Sequence, residues 1–140
     1  MKTKIIAAFC GTGKTYLTEK DNLNCVEIEY WRYKEGRHKQ YIEDVWKYFR
    51  NRKYIFIATD PEGLKLLKKE GFKITLVYPS IELRNEYLDR YIERDDSSNF
   101  IGVFMKYWET WINELKEQSY CDHIILNKGQ YLSDVIEQIP

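Results

Sequence analysis

Apolar residues in this chain follow two rhythms. Five short stretches are continuously apolar or alternate with period two, and between them apolar residues recur every three or four positions. Residues 2–9 (KTKIIAAF) are rich in strand formers, and 54–58 (YIFIA) form a continuous apolar run of the kind buried on both faces of a parallel sheet. Residues 72–78 (FKITLVY) and 122–126 (DHIIL) predict a fourth and a last strand. Residues 25–30 (CVEIEY) alternate, with Val26, Ile28 and Tyr30 on one face and Glu27 and Glu29 on the other. That pattern predicts a strand at a sheet edge with one wet face.

The helical rhythm fills the gaps. A short helix is expected over 14–19, ending near Asp21 and Asn22, and residues 31–39, with Gly36, read as a loop. Residues 40–50 carry Tyr41, Ile42, Val45, Trp46 and Phe49 at helical spacing, with Trp46 expected in the core. Thr59 or Asp60 is placed to cap a helix over 62–70, with Pro61 at its first position and Gly71 at its end. Ser80 is the expected cap of a helix over 81–94, and Ser98 that of a long helix over 99–118. The stripe Phe100, Phe104, Trp108, Trp111 and Leu115 on the latter reads as core. Asn127 to Gln130 make a turn before a closing helix over 132–138. Strands alternating with helices predict an α/β domain with a parallel sheet and right-handed crossovers.

Composition narrows the classes. A chain of 140 residues accommodates one core, and no linker divides it, so residues 1–140 are read as a single domain. With 22 basic and 22 acidic residues there is no basic field to hold duplex nucleic acid, which is not an expected partner. Cys10, Cys25 and Cys121 lack the spacing of a disulfide framework or a zinc site, which fits a reducing, cytoplasmic compartment. The N-terminal apolar run is too short for a signal peptide, and no stretch approaches a membrane span. His123 has no partner spaced for metal and reads as structural.

The candidate chemistry starts where the first strand ends. Residues 8–15 read AFCGTGKT, a phosphate-binding loop of the Walker A type with Ala8 in place of its first glycine. In that scheme the main-chain amides of Gly11, Thr12, Gly13 and Lys14 cradle a phosphate at a helix start. Lys14 reaches the outer phosphates, and the Thr15 hydroxyl sits on Mg²⁺. The plain alternative is a strand-to-helix turn that uses glycine for its geometry. Cys10 reads as a small tolerated side chain rather than a redox thiol. Glu29 lies close to the C-terminal end of the second strand, where open α/β sheets place their ligands, so it faces Mg²⁺-bound water, a second substrate or solvent. Arg90 and Arg94 are four apart on one helical face, with Arg84 on a neighbouring face. Their planar guanidinium groups suit phosphate oxygens, or they pair with Asp89, Glu93 and Asp95. Asp60 is read first as a cap, with a water-mediated metal contact as the alternative.

Taken in order, AFCGTGKT, then VYPS followed by LRNEYLDRYIERDD, then HIILNKGQYLSDVI, the chain resembles small phage- and prophage-encoded nucleotide kinase-like proteins of the P-loop nucleoside/nucleotide kinase superfamily. The likeness is strongest over 4–18 and 73–135. It implies a three-layer P-loop fold with a five-stranded parallel sheet of order 2-3-1-4-5 and a lid-like segment at 84–98. It also implies Mg²⁺-dependent transfer of the γ-phosphate of ATP to a nucleoside or nucleoside monophosphate in the cytoplasm, that of the host for a phage-encoded chain. By this resemblance Lys14, Arg90 and Arg94 would be catalytic, Glu29 and Arg84 would contact the acceptor, and Lys128, Gly129 and Gln130 would border the donor base. The acidic pair expected near the second strand takes the form of Glu27 and Glu29. Two other readings stand beside it. One is a nucleotide-binding module without turnover. The other is a GTPase-like hydrolase, from Asp60-Pro61-Glu62-Gly63 and an Asn127-Lys128-Gly129-Gln130 that lacks the terminal Asp reading guanine.

Overall fold

Every strand pairing in the sheet is parallel, in the order β2-β3-β1-β4-β5. A computed structural model of the protein describes residues 2–19, 23–33 and 36–140. The strands are β1 (Lys4–Ala8), β2 (Cys25–Glu27), β3 (Tyr54–Ile57), β4 (Ile74–Pro79) and β5 (Cys121–Leu126). The helices are α1 (Lys14–Thr18), α2 (His38–Phe49), α3 (Pro61–Lys69), α4 (Arg84–Glu93), α5 (Ser98–Lys116) and α6 (Leu132–Val135). The end expected for α1 at Asp21 and Asn22 lies outside the described residues, as do Lys34 and Glu35 of the expected 31–39 loop.

Alternation along β1 divides the core in two. Ile5, Ala7 and Phe9 face a layer built by α2, α3, α4 and α5, through residues such as Val45, Leu64, Tyr91 and Trp108. Ile6 and Ala8 face a second layer that holds Leu17 of α1 and Leu132 and Val135 of α6. The result is three layers, helix–sheet–helix. β1 and its neighbour β4 are followed by helices on opposite faces, which opens a crevice beyond their carboxyl ends. Among the described residues no helix is long and apolar enough to cross a membrane.

Several local expectations need correction. The strand expected over 25–30 is regular only to Glu27. One more bond, from Ile28 N–H to the Phe56 carbonyl at 2.9 Å, carries the pairing on, and then Tyr30–Arg32 wind into a 3₁₀ turn. Ser80 makes no capping hydrogen bond. A 3₁₀ turn, Ile81–Leu83, precedes α4 instead. Ser97, not Ser98, caps α5, accepting from the Phe100 N–H at 3.1 Å. Trp46 is 42% exposed, one ring edge covered by Phe72 at 4.4 Å between centroids. The α5 stripe is core only in part: Trp108 and Leu115 are buried, whereas Phe100, Phe104 and Trp111 are half-buried. Asp60 caps α3 as expected, accepting from the N–H groups of Glu62 and Gly63 at 2.9 and 3.1 Å. His123 is structural: its ring nitrogens bond the Tyr78 hydroxyl and the Gln118 carbonyl, each at 2.9 Å.

Candidate functional site

The loop after β1 turns on two glycines. Gly11 and Gly13 sit at φ of +89° and +99°, a left-handed region that glycine alone enters at little cost. Gly11 is constrained twice, since a Cβ there would lie 2.8 Å from the Tyr91 ring and 3.3 Å from that of Tyr87. Thr12, between them, is buried, and its hydroxyl donates to the Phe9 carbonyl at 2.7 Å. Lys14 starts α1 and folds back over the loop, its Nζ 3.0 Å from the Ala8 carbonyl it donates to. α1 is only five residues long, so aligned peptide dipoles contribute little here. The local positive potential rests on the loop amides and Lys14.

The loop floors a cleft of about 660 Å³ whose lining includes Gly11, Gly13, Lys14 and Thr15. Glu27 and Glu29 face into it from the end of β2. The acidic face of this edge strand is therefore turned toward Lys14, not toward bulk solvent as the alternation implied. Burial, and then a hydrogen bond shared with Glu29, push the Glu27 carboxyl up to about 7, against the opposing pull of Lys14. Burial likewise lowers the Lys14 ammonium below its ordinary value, and Glu27 is the strongest of the groups that resist this. The Cys10 thiol is raised by burial although Arg94 and Lys14 favour its ionised form, so it is not an activated nucleophile.

Within the 84–98 segment, Arg84–Glu93 form α4, which is docked against the loop. Arg90, 8% exposed, donates to the Gly11 carbonyl at 2.9 Å, to Glu86 at 3.0 Å and to the Gln130 carbonyl at 2.8 Å. Its guanidinium lies between two rings, 4.3 Å from the Tyr87 centroid and 3.9 Å from that of Tyr131. At the next position, the Tyr91 hydroxyl donates to the Cys10 carbonyl at 2.9 Å. Arg94 lies nearer the opening, paired with Asp96 at 2.8 Å and 3.4 Å from the Cys10 sulfur. Arg84 is turned away altogether: it donates to the Met105 carbonyl on α5, at 3.1 Å from Nη2, and does not line the cleft.

The turn after β5 reaches the loop by another route. The Leu132 N–H donates to the Thr12 carbonyl at 2.8 Å. The Gly129 N–H points to Glu86, at 3.0 Å, and Lys128, Gly129 and Gln130 stay outside the cleft lining. The residue of this segment that does enter the cleft is Tyr131, which sequence reasoning passed over because an isolated aromatic in a turn carries no periodic signal. The cleft thus brings together Gly11, Gly13, Lys14, Thr15, Glu29, Arg90 and Arg94 of the expected residues. Thr12 stands behind the loop, Glu27 joins Glu29 as the acidic pair, and Tyr131 is an addition.

Among the described residues no cluster of three or more His, Cys, Asp or Glu side chains is grouped to hold a metal ion. Mg²⁺ needs no such cage, since it keeps much of its water and takes one or two protein groups plus phosphate oxygens. Thr15, with the carboxylates of Glu27 and Glu29 across the same cleft, is a donor set of that kind. No protein-family model matches the chain, and no curated protein matches it.

Proposed function

We propose that this protein is a P-loop phosphotransferase that moves the γ-phosphate of ATP, with Mg²⁺, to the hydroxyl of a small nucleoside-type acceptor. The observation that carries the reading is the loop itself. Two left-handed glycines flank a buried Thr12, and a lysine lies across the loop at the head of a cleft with carboxylates on one side and an arginine on the other.

In this reading the amides of Gly11, Gly13 and Lys14 hold the β-phosphate, while the Thr12 N–H is engaged with the Phe9 carbonyl at 3.3 Å. Lys14 and Arg94 face the γ-phosphate, where transfer spreads negative charge over three oxygens. Thr15 would hold Mg²⁺, which neutralises phosphate charge when bound. The acceptor oxygen forms its bond to phosphorus as the bond to the bridging oxygen of ADP breaks. The acceptor's proton passes to the Glu27–Glu29 pair, whose member near neutrality is matched to that task. Arg90 is a positioning residue, since its donors are engaged with Gly11, Glu86 and Gln130. This departs from the direct catalytic role that the resemblance implies for it.

Replacing Lys14 with Ala is expected to lower kcat at least ~100-fold, the scale for removing one charge-stabilising donor, with the melting temperature unchanged. A variant that turns over at the wild-type rate would overturn the assignment. A second reading, a nucleotide-binding module without turnover, is favoured by one observation: Arg94 is already paired with Asp96. The same assay separates the two, because a module binds Mg-ATP and forms no phosphorylated product with any acceptor. The GTPase reading loses ground on both motifs. Asp60 caps α3, and the Gly129 N–H is directed at Glu86.

A further inference from the structure

A second cavity, of about 950 Å³, opens on the other side of Lys14. Cys10, Lys14 and Glu29 line both hollows, so the two meet at the lysine. One wall of the second runs along α5 through the half-buried members of its stripe. Phe100 and Phe104 are stacked with centroids 4.4 Å apart, and Trp111 stands edge-on to Phe104 at 5.0 Å. These rings are half-buried because their inner edges pack on the core while their outer faces line the hollow. Trp31, 69% exposed, stands at the rim across from them.

The charge in this cavity is lopsided. Glu29, Asp60, Glu114 and Glu117 line it, and among the described residues that do so Lys14 is the only cation. Three other cations lie close by, and each is engaged: Arg32 pairs with Glu29 at 3.5 Å, Lys68 donates to Gln118 at 2.5 Å, and Arg94, 5.8 Å from the Phe100 ring centroid, pairs with Asp96 at 2.8 Å. Arg84, the arginine expected at the acceptor, is bonded to α5 outside the cavity.

We propose that this cavity holds the phosphoryl acceptor, and that the acceptor is a nucleoside with no phosphate of its own. The proposal rests on the phosphotransferase reading and narrows it. Aromatic faces bind a planar base by stacking whatever its identity. Base N–H and ribose O–H groups are donors, and ionised carboxylates are acceptors only. A monophosphate would bring nearly two negative charges among four carboxylates. The one cation that lines the cavity, Lys14, is also required by the donor's outer phosphates, and the neighbouring Arg94 is held by Asp96. Like charges drawn together in a partly desolvated hollow repel far more than in water. The shared lysine and Glu29 then mark where an acceptor hydroxyl would meet the γ-phosphate.

Calorimetric titration of the full chain with the common nucleosides and their 5′-monophosphates, in the absence of donor, tests this. At least one nucleoside is expected to bind ~10-fold or more tightly than its monophosphate, the scale at which a mismatched polar group is rejected. Trp111→Ala is expected to weaken that nucleoside ~10-fold, the loss of one stacking partner. Trp111 is half-buried, so the rim variant Glu114→Lys provides a second measurement: it should close most of the gap between nucleoside and monophosphate. Wild-type protein that binds monophosphates as well or better, or that binds no nucleoside, overturns the proposal. A separate titration with Mg-ATP keeps the two readings apart. ATP binding without the nucleoside preference defeats only this inference. The nucleoside preference without ATP binding defeats the phosphotransferase reading and leaves the cavity assigned.

Discussion

The two hollows that meet at Lys14 are made of different materials. On the α4 side, the wall is fastened by directional bonds: Arg90 to Gly11, Glu86 and Gln130, Tyr91 to Cys10, and Leu132 to Thr12. On the α5 side, the wall is ring faces with carboxylates at intervals, and the contacts among the rings are edge and stacking contacts that hold no fixed polar geometry. A wall of the first kind suits a ligand that is always the same, such as a polyphosphate. One of the second kind suits a ligand recognised by shape and by the sign of its charge. The contrast also explains why two arginines one turn apart differ so much. Arg90 belongs to the fastening, and Arg94 to the opening.

The largest test of that contrast is Arg90→Ala. It leaves Glu86 partly buried without its partner and removes donors from two main-chain carbonyls, so a loss of about 3 kcal/mol is expected in urea denaturation. A loss below about 1 kcal/mol would mean the α4 wall is not fastened as described. Gly11→Ala comes next. The methyl group meets Tyr91 at 2.8 Å and the backbone is left-handed, so about 1–3 kcal/mol should be lost by the same measurement. Arg94→Ala sharpens the contrast from the other side. It should lower kcat ~10-fold or more while stability stays within ~0.5 kcal/mol of the parent. Parallel losses of rate and stability would merge Arg94 with Arg90.

The smallest expected effect is that of Glu27→Gln, and it is a matter of pH. The Glu27 carboxyl has a folded value of about 7 against an ordinary 4.5. Between those values the folded state binds more protons than the unfolded one, so this group's stabilising contribution is full below 4.5 and is lost as pH rises through 7. Wild type should therefore lose melting temperature between pH 5 and pH 8, and the Gln variant should lose less. A steeper fall in the variant would place the Glu27 carboxyl outside the acidic pair.

Much of the scaffold was readable from local pattern, because each strand is a short run of one rhythm. Ile6, Ala8 and Phe56 are apolar since both faces of β1 and β3 are covered, and the run is visible without neighbours. The strand order came with the resemblance, not with periodicity, and the sheet has that order. The loop glycines were legible because their geometry is a property of four consecutive residues. What stayed hidden depends on residues far apart in the chain. Arg90 looked like an exposed cation until Gly11 and Gln130 came to it from 79 and 40 residues away. Glu27 looked wet because alternation tells which residues share a face and not what the face meets. The α5 stripe read as uniform core since its spacing is uniform, and only tertiary packing separates Trp108 from Phe104.

The fastening of the first turn to late parts of the chain bears on how the protein comes into being. Cys10, Gly11 and Thr12 lend their carbonyls to donors on Tyr91, Arg90 and Leu132, so the shape of this loop depends on segments far along the chain. Contacts of such wide sequence separation form slowly, because closing a long chain segment costs entropy before any bond offsets it. The loop after β1 is therefore expected to take its final shape only once α4 and α6 have docked against it, late in folding.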